Sequence, residues 1–513
     1  MDIFANLALG FQVALTPQNL FFAFVGAFVG TLIGALPGIG PVTAIAVLIP
    51  FTFSLNPTSA MIMMAGIYYG SMYGGTITSV LLNTPGESAS VMTCLDGYQL
   101  ARQGRAGAAL GIAAIGSFIA GTLSVVGLML LSPVLVAFAL KFGPPEYFGV
   151  MVLGLVTLAG LGGSSVWKAL VMALVGLLLG TVGTDPIVGV TRFTFGQPSL
   201  WDGIGFLPVT MGLFALAEVL VSAEQLKNYQ PVTAGLRWRE LFPSWRDIWV
   251  SKGAILRGTI IGFLVGVLPG AGATLASFMA YAIERRLSRH PERFGKGAIE
   301  GVAAPESANN AATGGAFVPL LTLGIPGSGA TAVMLGILLM FGLRPGPLLF
   351  ETNPDFVWGL IASMYIGNVM LLLLNLPGVP IFASLTRIPY PVLMPAIVVF
   401  SVVGAYAVGN NLADALIALV FGVIGYFLRK ADYPAAPLVL ALVLGPMMEK
   451  SLRQSLVISQ GDFSIFLTRP ITAALLGLAL LSLVGPMVVR WVGRWGGVGL
   501  QPVPAEGHRE DIS

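Results

Sequence analysis

Charge is what this 513-residue chain most lacks. Asp, Glu, Lys and Arg make up 10% of it and hydrophobic residues 56%, whereas soluble domains carry about 25% charged residues. That balance excludes a soluble globular domain and predicts a polytopic membrane protein. The net charge of +3 points to no nucleic-acid partner, because the basic residues sit in loops between apolar runs. A single cysteine, Cys94, excludes an intrachain disulfide and a cysteine-rich metal site; on its own it reads as a small apolar core residue. The two histidines, His290 and His508, fall in a loop and in the tail. A nucleophile imagined at Gly327-Ser328-Gly329 would therefore have no general base, and an intramembrane enzyme is not expected. No GxxxxGK[ST] loop occurs, so the chain is not itself an ATP motor, although it could pair with one. Met1-Asp2-Ile3 offers no basic n-region, so no cleavable signal peptide is expected.

Glycine (66) and proline (34) are abundant, and they mark a break that occurs twice. Residues 258–283 read GTIIGFLVGVLPGAGATLASFMAYAI, with Leu268-Pro269-Gly270-Ala271-Gly272 in the middle. Each arm, if helical, is about 16 Å long, roughly half of a hydrocarbon core, so neither arm is expected to span alone. Basic loops flank the stretch, with Lys227, Arg237, Arg239, Arg246, Lys252 and Arg257 before it and Arg285, Arg286, Arg289, Arg293 and Lys296 after it. Basic loops stay cytoplasmic. The stretch is then a re-entrant hairpin with its tip near the midplane, where irregular backbone is tolerated only against protein or a water-filled cavity. A single helix kinked at Pro269 is the plainer alternative.

Residues 26–44, GAFVGTLIGALPGIGPVTA, align with 258–276 without a gap, which favours the hairpin. No charged residue lies between Asp2 and Glu87. This first hairpin should therefore enter from the opposite, non-cytoplasmic face, giving two inverted-topology repeats. A second motif follows each copy, 68–91 and 308–333. In it Tyr73-Gly74-Gly75 is paired with Thr313-Gly314-Gly315, and Asn83-Thr84-Pro85-Gly86 with Gly324-Ile325-Pro326-Gly327, with one extra residue in the second copy. Paired interrupted segments in matching halves are the sequence signature of a secondary-transporter binding site.

In chain order, 1–18 reads as an interfacial lead-in and 1–221 as the first repeat, with its hairpin tip at 36–41 and its break at 83–90. Spans are expected within 57–82, 106–140, 146–162, 166–182 and 204–221, with a non-helical loop at 184–203. The linker 222–257 interleaves Trp238, Trp245 and Trp249 with arginines, the pattern of a cytoplasmic helix at headgroup level or of a partner-docking surface. The second repeat, 258–490, has its tip at 268–273 and breaks at 305–313 and 324–330, and a polar tail fills 491–513. The expected class is an all-α membrane protein with about twelve crossings.

The breaks carry hydroxyls, amides and bare backbone in place of cations. Half-helix N-termini present free N–H groups and partial positive charge, enough to hold a carboxylate. Opposing carbonyls coordinate cations. The candidate substrate- or ion-binding residues are Gly38, Gly40, Thr43, Asn83, Thr84 and Ser88 in the first half. In the second they are Gly270, Gly272, Thr274, Asn309, Asn310, Thr313, Gly327 and Ser328. Any one of these polar side chains could instead make a packing hydrogen bond. Glu306 could carry a proton, coordinate Na⁺ or cap the start of the next helix.

At GALPGIGP (34–41), YYGSMYGGTITSVLLNTPGE (68–87), LDGYQLARQGRAGAALG (95–111) and GAIEGVAAPESANNAATGGAFVPLLTLGIPGSGATAVMLGIL (297–338), the chain resembles TctA, the large transmembrane subunit of tripartite tricarboxylate transporters. The likeness runs from about residue 15 to 490. It implies a multi-pass permease of the bacterial inner membrane that works with a small four-span membrane subunit and a periplasmic substrate-binding protein. It further implies ion-driven transport of citrate or another organic acid, coupled to Na⁺ or H⁺, with an elevator-like or rocking movement. A channel-like or ATP-motor-coupled permease for small organic anions is the alternative. No other cofactor is expected.

Overall fold

The computed structural model describes residues 3–36, 40–161, 165–185, 188–224, 242–270, 272–385 and 390–495. The first half contains α1 (Ile3–Ala14), α2 (Pro17–Gly34), α3 (Pro41–Thr52), α4 (Pro57–Leu82), α5 (Val91–Arg102) and α6 (Ala106–Ala139). A 3-10 turn, Ser88–Ser90, leads into α5. Then come α7 (Pro144–Leu161), α8 (Val166–Leu179), α9 (Phe206–Thr210) and, beyond a π-helical stretch Met211–Leu216, α10 (Ala217–Glu224). The second half contains α11 (Trp245–Val267), α12 (Gly272–Leu287), α13 (Glu300–Leu323), α14 (Gly329–Met340), α15 (Pro347–Thr352) and α16 (Pro354–Asn375). The chain continues through α17 (Val379–Leu385), α18 (Tyr390–Gly409), α19 (Leu412–Lys430), α20 (Ala436–Ile458), α21 (Ile465–Thr468) and α22 (Pro470–Trp495). Among the described residues the only strands are Gly183–Thr184 and Thr191–Arg192, a two-stranded clip inside the expected non-helical loop.

Six described helices are long and apolar enough to cross a membrane, while others such as Pro41–Thr52, Val166–Leu179 and Gly329–Met340 are apolar but shorter. The first arm of the second broken segment is longer than the sequence suggests, 23 residues in α11, and that of the first, α2, has 18. Both satisfy the length and composition of a span, so the expectation that neither arm of 258–283 could cross alone is corrected for α11. The cause in the second half is local. Ser244 Oγ accepts from Asp247 N while Asp247 accepts from Ser244 N, a capping box that starts the helix inside the expected linker. Trp245 and Trp249 therefore stand on the first turn and a half of α11, exposed, with the Lys252 ammonium over the Trp249 ring. The linker's residues 225–241 and the tail's 496–513 lie outside the described residues.

Helices α4 and α13 are buried around nearly their whole circumference and form the centre of the molecule. Each receives its leading arm through a glycine ladder. Gly26, Gly30 and Gly34 of α2 lie on the backbone of Met63, Ile67 and Ser71. Gly258, Gly262 and Gly266 of α11 lie likewise on Ala304, Ala308 and Ala312. A Cβ at any of these six would overlap a carbonyl or Cα of the facing helix, so the close approach requires glycine.

This packing also corrects the internal alignment. Gly74 meets Thr31 O and Ala35 N, while Gly315 meets Phe263 O and Val267 N, their partners in the gapless hairpin register. Gly74 thus corresponds to Gly315 and not to Gly314, and no extra residue is needed in the second copy. Asn83 and Gly324 then coincide as left-handed C-caps, with φ of 55° and 71°. Gly86 and Gly327 coincide too, packed against the carbonyls of Gly34 and Gly266.

Candidate functional site

The hairpin of each half meets the break of the other. Val42, on the first turn of α3, packs on Gly329, where α14 begins. Thr274, on the first turn of α12, shares a 2.8 Å hydrogen bond with Ser88. Tyr68 of α4 reaches across to Ser328, hydroxyl to hydroxyl at 2.9 Å. The crossing brings four chain reversals to one place, and a cavity of about 910 Å³ opens between them. Its walls are Gly40–Thr43, Pro85–Ser88, Gly270 with Gly272–Leu275, and Ser328–Ala330, closed by Tyr68, Met72, Phe214, Phe278, Arg429, Ala436 and Pro437.

All four segments present the start of a helix. Gly40 is the N-cap of α3 and Ser328 that of α14, Glu87 caps the turn into α5, and α12 starts at Gly272. Gly270 and Gly272 hold φ of 78° and 66°, a conformation that disfavours side chains and frees backbone to face a ligand. Capping consumes part of the donor supply. Ser328 Oγ accepts from Thr331 N and Glu87 Oε2 accepts from Ala89 N at 2.6 Å, while the other first-turn amides have no intrahelical acceptor. Gly40 offers no side-chain cap to α3. The concave space is therefore lined by helix N-termini, a surface suited to an anion. One cation, Arg429, joins the described lining; it is paired with Glu218 of α10.

Of the expected site residues, Gly40, Thr43, Ser88, Gly270, Gly272, Thr274 and Ser328 line the cavity. The Thr43 hydroxyl is already committed to Phe214 O at 3.2 Å. Gly38 lies outside the described residues. Asn83 and Thr84 stand next to the lining, exposed, Asn83 as the C-cap of α4. Gly327 sits behind it against Ala316 and Gly266.

Asn309, Asn310 and Thr313 are elsewhere, buried within α13. Asn310 Nδ2 donates to Ser117 Oγ (2.8 Å), Asn309 Oδ1 (2.6 Å) and Glu306 O (3.1 Å). Thr313 donates to Asn310 O at 2.7 Å. The void beside Asn310 and Thr313 is about 10 Å³, no more than a single water needs. These three are placed to hold helices together, and the geometry does not put them against a substrate. The break expected at 305–313 is absent, since α13 runs unbroken through Pro305 and Pro319; tightly packed neighbours compensate for the lost backbone bonds.

Glu306 is likewise not at a helix start. The helix begins at Glu300, so the capping option is corrected. Its carboxylate is fully buried and accepts from Thr76 Oγ1 (2.7 Å), Thr93 Oγ1 and Asn309 Nδ2 (3.2 Å), tying α13 to α4 and α5.

Sequence reading missed Tyr68, Glu87, Phe214 and Arg429 as lining residues. Glu87 had a usable signal, being the first charge after an uncharged run that begins at Ile3. Arg429 had none, because Arg429-Lys430 at the end of an apolar helix looks interfacial.

No solved structure matches the chain. Residues 20–440 match the family described as the tripartite tricarboxylate transporter TctA family. An uncharacterized 52.8 kDa protein of Agrobacterium vitis, from the TAR-I ttuC' 3' region, is 49% identical over 485 residues, covering 94% of this chain and 96% of its own. A second uncharacterized protein of that organism, from the TAR-II ttuC' 3' region, is 48% identical over 223 residues, 44% of this chain and 92% of its own length. A match of such extent, on a helical chain with several membrane-length apolar helices, settles membership: the chain belongs to the TctA family of tripartite tricarboxylate transporters.

Proposed function

We propose that this chain is the permease of a binding-protein-dependent system that carries a small carboxylate, citrate or another di- or tricarboxylate, across the bacterial inner membrane. The cavity between the four helix starts is its substrate site. The observation that carries this reading is the convergence of those N-termini, with Arg429, on one space of about 910 Å³, the electrostatics a carboxylate needs without a fixed cluster of cations to trap it. In this reading transport is coupled to a cation gradient, and the two halves are inverted-topology repeats with the basic flanks of α11 and α12 in the cytoplasm. A small four-span membrane subunit and a periplasmic binding protein complete the system.

The test is uptake of labelled citrate and succinate into proteoliposomes containing this chain with both partner subunits, under imposed Na⁺ or H⁺ gradients. Saturable uptake that collapses with the gradient supports the reading. Uptake that neither saturates nor depends on a gradient would make the protein a channel. Tags near Asn56 and Arg289 found on one side of the membrane would remove the inverted topology.

A further inference from the structure

The cavity has an acid in its wall where an anion is to bind. Glu87 is 7% exposed and lines the space. Its carboxylate caps the Ser88–Ser90 turn, Oε2 accepting from Ala89 N at 2.6 Å and the side chain closing a capping box with Ser90 N, and Oε1 is buried without a further partner. A charged carboxylate seeks donors at both oxygens, and one left bare in a low-dielectric setting is poorly compensated. A substrate carboxylate arriving in the same cavity adds like charge, which a deprotonated Glu87 opposes.

The packed elements supply no cation to offset it. The turn carrying Glu87 packs on α4, α5, α12 and α13. From α4 the titratable group near it is Tyr68, bonded to Ser328. From α5 it is Cys94, whose thiol donates to Ser90 O. On α12 the neighbour is the Thr274 hydroxyl, bonded to Ser88, and the charged groups of that helix, Glu284, Arg285 and Arg286, lie at its far end. From α13 it is Glu306, a second acid, enclosed by Thr76, Thr93 and Asn309. Arg429, elsewhere on the cavity wall, is already paired with Glu218.

Resting on the anion-site reading above, we propose that Glu87 is the proton-coupling residue of this transporter, carrying one proton inward with each substrate anion. In each cycle water outside gives a proton to Glu87, forming its carboxyl O–H bond. The anion then enters beside a neutral acid, and the O–H bond breaks to water on the inside once the anion has left. Glu306 differs in kind, because its oxygens have donors within the fold and it lines no part of the cavity. The coupling ion is accordingly H⁺, and no Na⁺ site is required.

The experiment uses the chain reconstituted with both partner subunits, pyranine inside the vesicles and labelled citrate, with succinate as the second probe. The wild type should exchange the anion in counterflow, accumulate it under an inward ΔpH without Na⁺, and acidify the lumen as it does so. Glu87→Gln, a fixed mimic of the protonated acid, should lose ΔpH-driven accumulation and lumenal acidification out of proportion to any fall in its counterflow exchange, and Glu87→Asp should recover both in part. Wild-type accumulation that needs Na⁺ and leaves lumenal pH unmoved would overturn the proposal whatever the variants do, and so would ΔpH-driven accumulation by Glu87→Gln equal to wild type. If neither anion exchanges in the wild type, the anion site itself fails and this inference falls with it, an outcome distinct from exchange without proton movement.

Discussion

The chain holds two concentrations of polar side chains, and they are opposites. The side chains of Glu306, Asn309 and Asn310 bond to one another and to Thr76, Thr93 and Ser117, beside a void of only about 10 Å³. Around Gly40, Glu87, Gly272 and Ser328, backbone donors and one buried oxygen face or adjoin a large cavity and stay in part unspent. Both regions lie where apolar helices are unusually rich in glycine and small polar groups. The difference teaches that a polar residue in an apolar protein points to a site when it borders open space, as Glu87 does with one oxygen unpaired. One that is fully paired marks a joint.

The largest effect that would sharpen this contrast is on stability at the joint. Glu306→Ala strands three buried donors, at about 1–3 kcal/mol each, so detergent-solubilised protein should melt well below wild type. An unchanged melting temperature together with a raised KM would move Glu306 into the site. Next comes the cavity's cation. Arg429→Gln keeps a donor for Glu218 but gives up a charge-assisted contact worth about 1.5–3 kcal/mol, so the KM for citrate in counterflow should rise about 10- to 100-fold. Melting should shift less than in Glu306→Ala, and an unchanged KM would take the substrate away from Arg429. The smallest effect is that of Asn309→Ala/Asn310→Ala, which should cost about 1–3 kcal/mol of stability and leave the KM of the folded fraction where it was. A raised KM with normal melting would return these amides to the substrate.

Much of this was legible because glycine and proline have narrow structural uses. The duplicated LPG breaks located the interruptions between α2 and α3 and between α11 and α12. Other features were not legible, for physical reasons. Pro305 looked like a helix start because proline favours the first turn, yet three-dimensional packing carries α13 through it. Trp245 and Arg246 looked like a surface linker, yet the Ser244–Asp247 capping box makes them the foot of α11. Asn309 and Asn310 looked like ligands because they are adjacent amides between Pro305 and Gly314, and only the facing Ser117 and the adjacent Glu306 show how they are bonded. The crossing of each hairpin onto the other half's break joins residues far apart in sequence, such as Ser88 and Thr274, and no local pattern announces it.

The most direct test of the central claim is substrate protection of engineered thiols. In a Cys94→Ala background, single cysteines at Ser328 and, separately, at Thr313 would be labelled with a small charged methanethiosulfonate in the reconstituted complex, with and without an anion it exchanges. The account predicts that the thiol at position 328 reacts and that the anion slows the reaction, while the thiol at position 313 hardly reacts either way. Labelling at position 328 that proceeds at the same rate with saturating anion would contradict the placement of the substrate between the four helix starts.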